Sequence, residues 1–177
     1  AEFMLGLANL MVQTLGSGQV SHVQQMIAEI IENLELTKAC LRAAEADARL
    51  DQWGVMCPAQ FPLMIARAQF IRTYPRMAEI LHMLGSSSLM ALPTEADLHG
   101  PLAAEIHRYM GTDTASAEER VRLFRLAWDT CCSAFATRQV LYERWFGGDS
   151  FRNAIILSNL YDREPMTHWV REFLEQE

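Results

Sequence analysis

One arginine interrupts an apolar helical pattern and is the first residue that could bind a ligand. Between residues 121 and 145, apolar and aromatic side chains recur every three or four positions. The pattern consists of Val121, Phe124, Trp128, Cys131, Phe135, Arg138, Tyr142 and Trp145. A guanidinium on a buried stripe must find an anion, because an unpaired buried charge is strongly destabilising. We therefore expect Arg138 to bind a ligand phosphate, a carboxylate of a neighbouring subunit or a carboxylate of its own chain, unless it lies along the surface near the helix end.

The segment Gly147-Gly148-Asp149-Ser150 lies between two predicted helices. Glycines let a ligand approach the backbone, and the N-terminus of a helix offers free N–H groups to a phosphate. An ordinary helix–helix turn also explains these four residues and is favoured when they are considered alone.

A single Glu-x-x-His motif is formed by Glu79 and His82. Di-iron helix bundles have this spacing, but they need two such motifs and two more inward glutamates. The sequence has one motif, which favours a solvated helix face, and we predict no metal site. His22, His99, His107 and His168 lack a Ser or Cys partner that would indicate nucleophilic catalysis, so we predict no catalytic residue.

The four cysteines do not form a CxxC pair, which argues against a zinc or redox motif. They are Cys40, Cys57, Cys131 and Cys132. Adjacent cysteines on a helix are expected to point in different directions. We therefore expect reduced, partly buried thiols.

Helical spacing extends over the whole chain, and strands have little support. The predicted helices cover residues 4–15, 19–50, 62–84, 101–110, 116–146, 149–161 and 165 onward. Pro75 is expected to split the third helix, and residues 85–88 to break the chain after it. Ser116 and Glu119 fit a capping box, and Gly147 is the expected left-handed C-cap of the fifth helix. Asp149 or Ser150 can cap the helix that follows. The fold class predicted is all-α, an antiparallel four-helix-bundle-like domain.

Composition limits the classes of function. The chain has 177 residues, half of them hydrophobic, which is enough for one domain with a buried core. Its net charge is −7 and its one lysine is Lys38, which argues against nucleic-acid binding and against a polybasic membrane patch. No apolar run approaches the ~20 residues that span a bilayer. We interpret residues 1–3 as a cloning scar and residues 4–177 as one helical domain of a cytoplasmic protein.

Short segments spread over nearly the whole chain carry a family resemblance. The strongest is Phe-Ala-Thr-Arg-Gln-Val-Leu-Tyr-Glu-Arg at residues 135–144, followed by Gly148-Asp149. The others are residues 22–24, 41–47, 53–55, 74–76, 79–81, 92–97 and 161–165. With these segments the chain resembles the C-terminal domain of the 4-hydroxyphenylacetate 3-monooxygenase large-component family. Among its subgroups it looks most like bacterial members of isonitrile or pyoverdine-chromophore pathways.

This resemblance implies a C-terminal four-helix bundle like that of the acyl-CoA dehydrogenase fold. Such a bundle assembles a homotetramer or dimer and covers part of FAD, which a separate flavin reductase supplies in reduced form. The complete enzyme hydroxylates a small phenolic substrate ortho to its hydroxyl group. The resemblance places Arg138, Tyr142, Gly148 and Asp149 near the flavin or at a subunit contact. It places the catalytic residues in other domains, so the fragment alone should have little or no activity.

Two departures and two alternatives qualify this expectation. The family usually has Gly-Ser where this chain has Ala136-Thr137, and commonly has proline where it has Ser150. A related family with the same fold dehydrates 4-hydroxybutyryl-CoA, and the C-terminal half by itself leaves that family open. A stand-alone helical interaction module without catalysis also fits the apolar stripes and the ten methionines.

Overall fold

The computed structural model describes residues 1–175, which form helices and one short β-hairpin. The helices are α1 Glu2–Thr14, α2 Ser21–Ala46, α3 Gln60–Met90, α4 Glu95–Leu98, α5 Ala103–Met110, α6 Ala117–Cys131, α7 Ala134–Trp145, α8 Ser150–Leu160 and α9 Glu164–Glu175. The strands are β1 Arg49–Leu50 and β2 Met56–Cys57. None of the helices in this described part is both long and apolar enough to cross a membrane.

Helix α3 is the centre of the domain, because it contacts α1, α2, α6, α7 and α8. The continuous core comes from α1, α2, α3 and α6. The largest side chains buried there are Met11, Ile30, Met77, Ile80, Leu81 and Phe124. Four helices around one apolar core confirm the prediction of an all-α, four-helix-bundle-like domain. Helix α1 begins at Glu2, within the tripeptide interpreted as a scar, and Glu2 forms an ion pair with Lys38 at 3.3 Å.

The predicted break at Pro75 is wrong, because α3 continues through it. A proline inside a helix costs about 3 kcal/mol. Buried side chains on both sides of it, such as Ile71 and Met77, contribute about 1.5–3 kcal/mol each and hold the helix together. The predicted break at residues 85–88 survives as a kink at Ser86, where φ is 44° and ψ is −135°.

The predicted single helix over residues 116–146 is also wrong, because the chain turns at Cys132 and Ser133 between α6 and α7. The Ser133 hydroxyl accepts a hydrogen bond from the Ala136 N–H at 3.1 Å and so starts a new helix. At the other end of α6 the predicted capping box is confirmed. The Ser116 hydroxyl accepts from the Glu119 N–H at 3.2 Å, and Glu119 accepts from the Ser116 N–H at 2.9 Å.

A hairpin follows α2 where the sequence predicted more helix and no strands. Strand β1 pairs antiparallel with β2, with Arg49 opposite Cys57 and Leu50 opposite Met56. The turn is held by Asp51, whose Oδ1 accepts hydrogen bonds from the N–H groups of Trp53 and Val55, both at 2.9 Å. These hydrogen bonds lower the pKa of Asp51 below its usual value, and the bond from Val55 has the largest effect. Trp53-Gly54 was expected to end the helix; with Asp51 three residues before Gly54, whose φ is 77°, it instead forms the turn of a hairpin that was not predicted.

Arg76 on α3 forms three charged hydrogen bonds, and two of them join α3 to α2. Its Nε and Nη2 donate to the two Glu29 oxygens at 2.9 and 3.1 Å, and its Nη1 donates to Glu79 at 2.8 Å. The hydrogen bond to Glu29, and then that to Glu79, raise the pKa of Arg76. The side chains of Arg76 and Glu29 are each about one-third exposed, so water screens this pair only in part.

Replacing Arg76 should destabilise the domain. Arg76→Gln removes a bidentate ion pair between two helices. We expect the free energy of unfolding to fall by about 1–2 kcal/mol, because a partly exposed pair contributes more than a surface ion pair and less than a buried charged hydrogen bond. Urea denaturation followed by circular dichroism measures the change. The matched control is Arg171→Gln, whose pair with Glu164 is exposed on α9. Equal losses in the two variants would mean that the Arg76 pair adds nothing beyond a surface contact.

Replacing Ser86 by glycine should stabilise the domain. A positive φ is disfavoured for serine and free for glycine, so Ser86→Gly should raise the free energy of unfolding by up to about 1 kcal/mol. Ser87→Gly, one residue further along in helical geometry, should lower it by about 0.5 kcal/mol. Thermal and urea unfolding of both variants provide the comparison, and a loss of stability in Ser86→Gly contradicts the assigned backbone conformation.

Candidate functional site

Arg138 lies on α7 and is exposed, so the prediction that it occupies a buried stripe is wrong. The apolar pattern is buried only as far as α6, where Val121, Phe124 and Cys131 belong to the core. Beyond the turn at residues 132–133 the same spacing points outward, and Phe135 is 72% exposed. No burial penalty forces an anion onto Arg138, and within residues 1–175 it forms no ion pair. Its guanidinium is therefore free to meet a group from outside this chain.

Tyr142 belongs to an exposed aromatic surface one turn beyond Arg138. Its ring stacks on Phe146, with 5.3 Å between centroids and 15° between planes. We call this patch the α7–α8 apolar surface, and its members, all more than half exposed, are Phe135, Leu141, Tyr142, Trp145, Phe146 and Phe151. Arg138 and Tyr142 are four residues apart, so they share one side of α7. A large apolar patch that includes a cation is typical of a surface covered by a partner or ligand.

The two glycines after α7 serve different purposes. Gly148 has a φ of 89°, so it, and not the predicted Gly147, adopts the left-handed conformation. Gly147 is required by close packing, because a Cβ there would lie 2.9 Å from Arg67 Cδ. The turn thus depends on backbone freedom at one position and on close approach at the other.

Asp149 caps α8, as predicted for Asp149 or Ser150. Its carboxylate accepts hydrogen bonds from the N–H groups of Phe151 at 3.1 Å and Arg152 at 3.4 Å. These are the N–H groups that a bound phosphate would use, and the carboxylate is itself negative. The start of α8 is therefore occupied by its own cap, and Gly148 and Asp149 shape the turn in this chain.

Arg67 and Asn153 stabilise the turn at Gly147 and Gly148, and the sequence analysis predicted neither. Asn153 is buried, and its Nδ2 donates to the carbonyls of Gly147 at 3.0 Å and Gly148 at 3.3 Å. Its Oδ1 accepts from Arg67 Nη2 on α3 at 3.0 Å. The available signal was a lone asparagine before the apolar run Ala-Ile-Ile-Leu of α8, because a buried amide needs partners for both its donor and its acceptor.

A basic cleft of about 490 Å³ lies between α3 and α7. Arg72, Arg76 and Arg144 line it, together with His82 and Thr137. Arg76 is occupied by Glu29 and Glu79, whereas Arg72 and Arg144 have no ion pair in the described part of the chain. Because these arginines come from two helices, their meeting was not visible in the sequence.

The Glu79–His82 motif does not present its carboxylate to a metal. Glu79 and Glu29 both bind Arg76, while His82 Nε2 lies 2.6 Å from the backbone oxygen of Cys131. These contacts argue against a di-iron site, and both side chains are exposed, as expected for a solvated helix face.

Cys131 and Cys132 are free thiols, but the prediction that they point in different directions is wrong. Their sulfur atoms are 3.7 Å apart. The regular rotation of 100° per helical residue fails here, because Cys132 is the C-cap of α6 with a φ of −116°. Burial, and then the neighbouring Cys132, raise the pKa of the Cys131 thiol. Cys40 is half-buried, and Cys57 is exposed rather than partly buried.

Several known proteins similar to this chain are oxygenase components of 4-hydroxyphenylacetate 3-monooxygenases. The chain is 44% identical over 174 residues to the 4-hydroxyphenylacetate 3-monooxygenase oxygenase component of Geobacillus sp. (strain PA-9), covering 98% of this chain and 35% of that protein. It is 28% identical over 151 residues to the pyoverdin chromophore biosynthetic protein PvcC of Pseudomonas aeruginosa, covering 84% of this chain and 30% of PvcC. The second match supports a likeness to the pyoverdine subgroup, but a more distant one than the first match, so the expectation that the chain looks most like that subgroup is not supported.

Solved structures agree in fold. A crystal structure of the oxygenase component HpaB of 4-hydroxyphenylacetate 3-monooxygenase, complexed with FAD and 4-hydroxyphenylacetate, superposes with a TM-score of 0.93 at 42% identity, covering 99% of this chain and 37% of that chain. An archaeal 4-hydroxybutyryl-CoA dehydratase superposes with a TM-score of 0.86 at 16% identity, covering 98% of this chain and 35% of that one, and shares the fold alone. These neighbours confirm the predicted likeness to the C-terminal domain of the acyl-CoA dehydrogenase fold.

The chain spans only about a third of the length of the relatives it matches. The family described as HpaB, 4-hydroxyphenylacetate 3-hydroxylase C terminal, matches residues 1–175. That match covers nearly all of the sequence, and the chain therefore belongs to the family of 4-hydroxyphenylacetate 3-hydroxylase C-terminal domains.

Proposed function

We propose that this chain is the FAD-covering and assembly domain of a reduced-flavin-dependent monooxygenase that hydroxylates a phenolic substrate ortho to its hydroxyl group. The observation that carries the proposal is the 42% identity and TM-score of 0.93 to HpaB, a protein solved with FAD and 4-hydroxyphenylacetate. In this account a separate reductase component supplies reduced FAD, and the enzyme works in the cytoplasm. The phenol-binding and oxygen-activating residues lie in other domains, so the isolated domain has little or no activity.

Arg138 and Tyr142 are the proposed flavin-contacting residues. A guanidinium donates paired hydrogen bonds to phosphate oxygens, and a tyrosine ring stacks on planar heterocycles. Both side chains are exposed on the same side of α7. The Tyr142 ring stacks on Phe146, one turn of helix beyond Arg138. These features suit contact with an FAD held mainly by another domain or subunit.

Gly148 and Asp149 have a supporting role in this proposal. Gly148 permits the left-handed turn and Asp149 caps α8, so the two residues set where the α7–α8 apolar surface ends. Their contribution is to place Phe146 and Phe151 on either side of the turn rather than to bind phosphate themselves.

Exposed apolar faces support the assembly role. The α7–α8 apolar surface is one such face, and α9 carries another, formed by Met166, Trp169, Val170, Phe173 and Leu174. Their exposed fractions range from 40% to 69% although they lie on one side of an amphipathic helix. Faces of this kind are normally buried in an oligomer or against a neighbouring domain, which suits a homotetramer or dimer.

Removing the guanidinium of Arg138 should weaken flavin binding. In the complete enzyme, Arg138→Ala should bind reduced FAD about 10-fold or more weakly, because charged hydrogen bonds contribute about 1.5–3 kcal/mol. Anaerobic titration followed by fluorescence or calorimetry measures the dissociation constant. The matched control is Arg108→Ala, an exposed arginine on α5, which should bind FAD normally. Equal affinity in the Arg138 variant removes its proposed cofactor role.

Placing a charge on the α9 apolar face should weaken assembly. Trp169→Lys puts an ammonium group where the proposal expects a buried contact. The variant should therefore dissociate at protein concentrations at which the parent oligomer stays assembled. Glu172→Lys adds the same side chain on the polar face and should leave the assembly intact. Sedimentation velocity over a concentration series compares the two variants, and unchanged association in Trp169→Lys excludes α9 from the interface.

The size of the native polypeptide tests the proposal as a whole. An antibody against this domain should detect a band in the source cells well above 20.1 kDa, the mass of the chain. A single band near 20.1 kDa instead makes a stand-alone helical interaction module the leading account.

A further inference from the structure

A histidine and two cysteines meet where the end of α6 packs against α3. Cys131 and Cys132 end α6, and His82 comes from α3, 49 residues before Cys131. One ligand atom of each of the three residues lies within 4.8 Å of the others. No step of the proposed flavin chemistry uses this cluster.

The distances match those of a thiophilic metal centre. Two thiolates bound to one tetrahedral Zn²⁺ at about 2.3 Å lie about 3.8 Å apart. The Cys131 and Cys132 sulfurs are 3.7 Å apart. The pair therefore already has the spacing that shared coordination needs. The Cys131 Sγ also donates to the Ala127 carbonyl at 2.9 Å, a bond that a metal ion would replace.

His82 is oriented by a hydrogen bond to the same segment. A carbonyl oxygen can only accept, so the 2.6 Å contact with the Cys131 oxygen places a proton on Nε2 and leaves the lone pair of the neutral ring on Nδ1. Metal-binding histidines commonly donate their second ring nitrogen to a backbone carbonyl in this way. Coordination through Nδ1 keeps this hydrogen bond, whereas coordination through Nε2 replaces it.

The cluster is reachable from outside although Cys131 itself is buried. A cleft of about 390 Å³ is lined by all three residues, together with Ser86, Trp128 and Thr137. The basic cleft between α3 and α7 meets it at His82 and Cys131. An ion can therefore enter, and a water from either cleft can complete a fourth coordination position.

We propose that His82, Cys131 and Cys132 bind one thiophilic divalent cation of the Zn²⁺ type. Two sulfurs and one imidazole favour Zn²⁺ over Mg²⁺ or Ca²⁺, which take oxygen ligands. Glu79, three residues before His82 on α3, is held by Arg76 at 2.8 Å and does not add a hard ligand. The site is independent of the proposed flavin function.

The test is metal binding by the reduced protein and by two variants. The protein is freed of metal, and Zn²⁺ is titrated against a chromophoric chelator. Co²⁺ is then used as a spectroscopic probe, because thiolate ligation gives an intense charge-transfer absorption. We expect one Zn²⁺ per chain. Cys132→Ser and His82→Gln should each weaken its affinity at least about 100-fold, since even residues that only support metal ligands typically contribute 10- to 100-fold.

Cys57→Ser is the matched control, because Cys57 is an exposed thiol on the β2 strand outside the cluster. It should bind Zn²⁺ as the parent does. Circular dichroism checks that the variants are folded, and the replacement of half-buried Cys132 by serine conserves its shape. Zn²⁺ binding that survives in both Cys132→Ser and His82→Gln, or Co²⁺ spectra without the thiolate band, overturns the proposal.

Discussion

Helix α3 stays helical across Pro75, and kinks only at Ser86, because side chains on both sides of the proline are buried in one core. Ile71 lies before the proline and Met77, Ile80 and Leu81 lie after it, and all four are at most 4% exposed. Burial of side chains of this size outweighs the ~3 kcal/mol cost of an internal proline. The result is a helix that runs unbroken through Pro75, kinks at Ser86 and contacts five others.

Because α3 is helical through Pro75, its polar side chains reach four different parts of the domain. Arg67 supports the α7–α8 turn, Arg72 lines the basic cleft, Arg76 ties α3 to α2, and His82 meets the end of α6. A real break at Pro75 would let the two halves reorient independently. The two ends of α7 would then lose their common support, since Arg67 contacts the turn after α7 and His82 contacts the end of α6 before it.

The short turn between α6 and α7 decides what the domain presents to its surroundings. Because α6 ends at Cys131, the sulfurs of Cys131 and Cys132 converge, and α7 turns its aromatic residues outward. Arg138 consequently lies on an exposed apolar surface and not in a core. An acidic chain with such faces on α7, α8 and α9 is suited to act against other domains or subunits.

The sequence by itself determined the features that depend on a few neighbouring residues. Helical periodicity gave the all-α class, Ser116 and Glu119 specified their capping box, and Asp149 specified the start of α8, because each involves contacts within one turn. The scattered family segments were also sufficient to identify the family.

Tertiary structure alone decided the features that depend on remote partners. The survival of α3 through Pro75 depends on packing against α1, α2 and α6, and the exposure of Arg138 depends on where α6 stops. The meeting of His82 with Cys131, and of Arg67 with Asn153, joins residues 49 and 86 positions apart. Local patterns carry no information about such distances, because they arise only when the whole core is buried together.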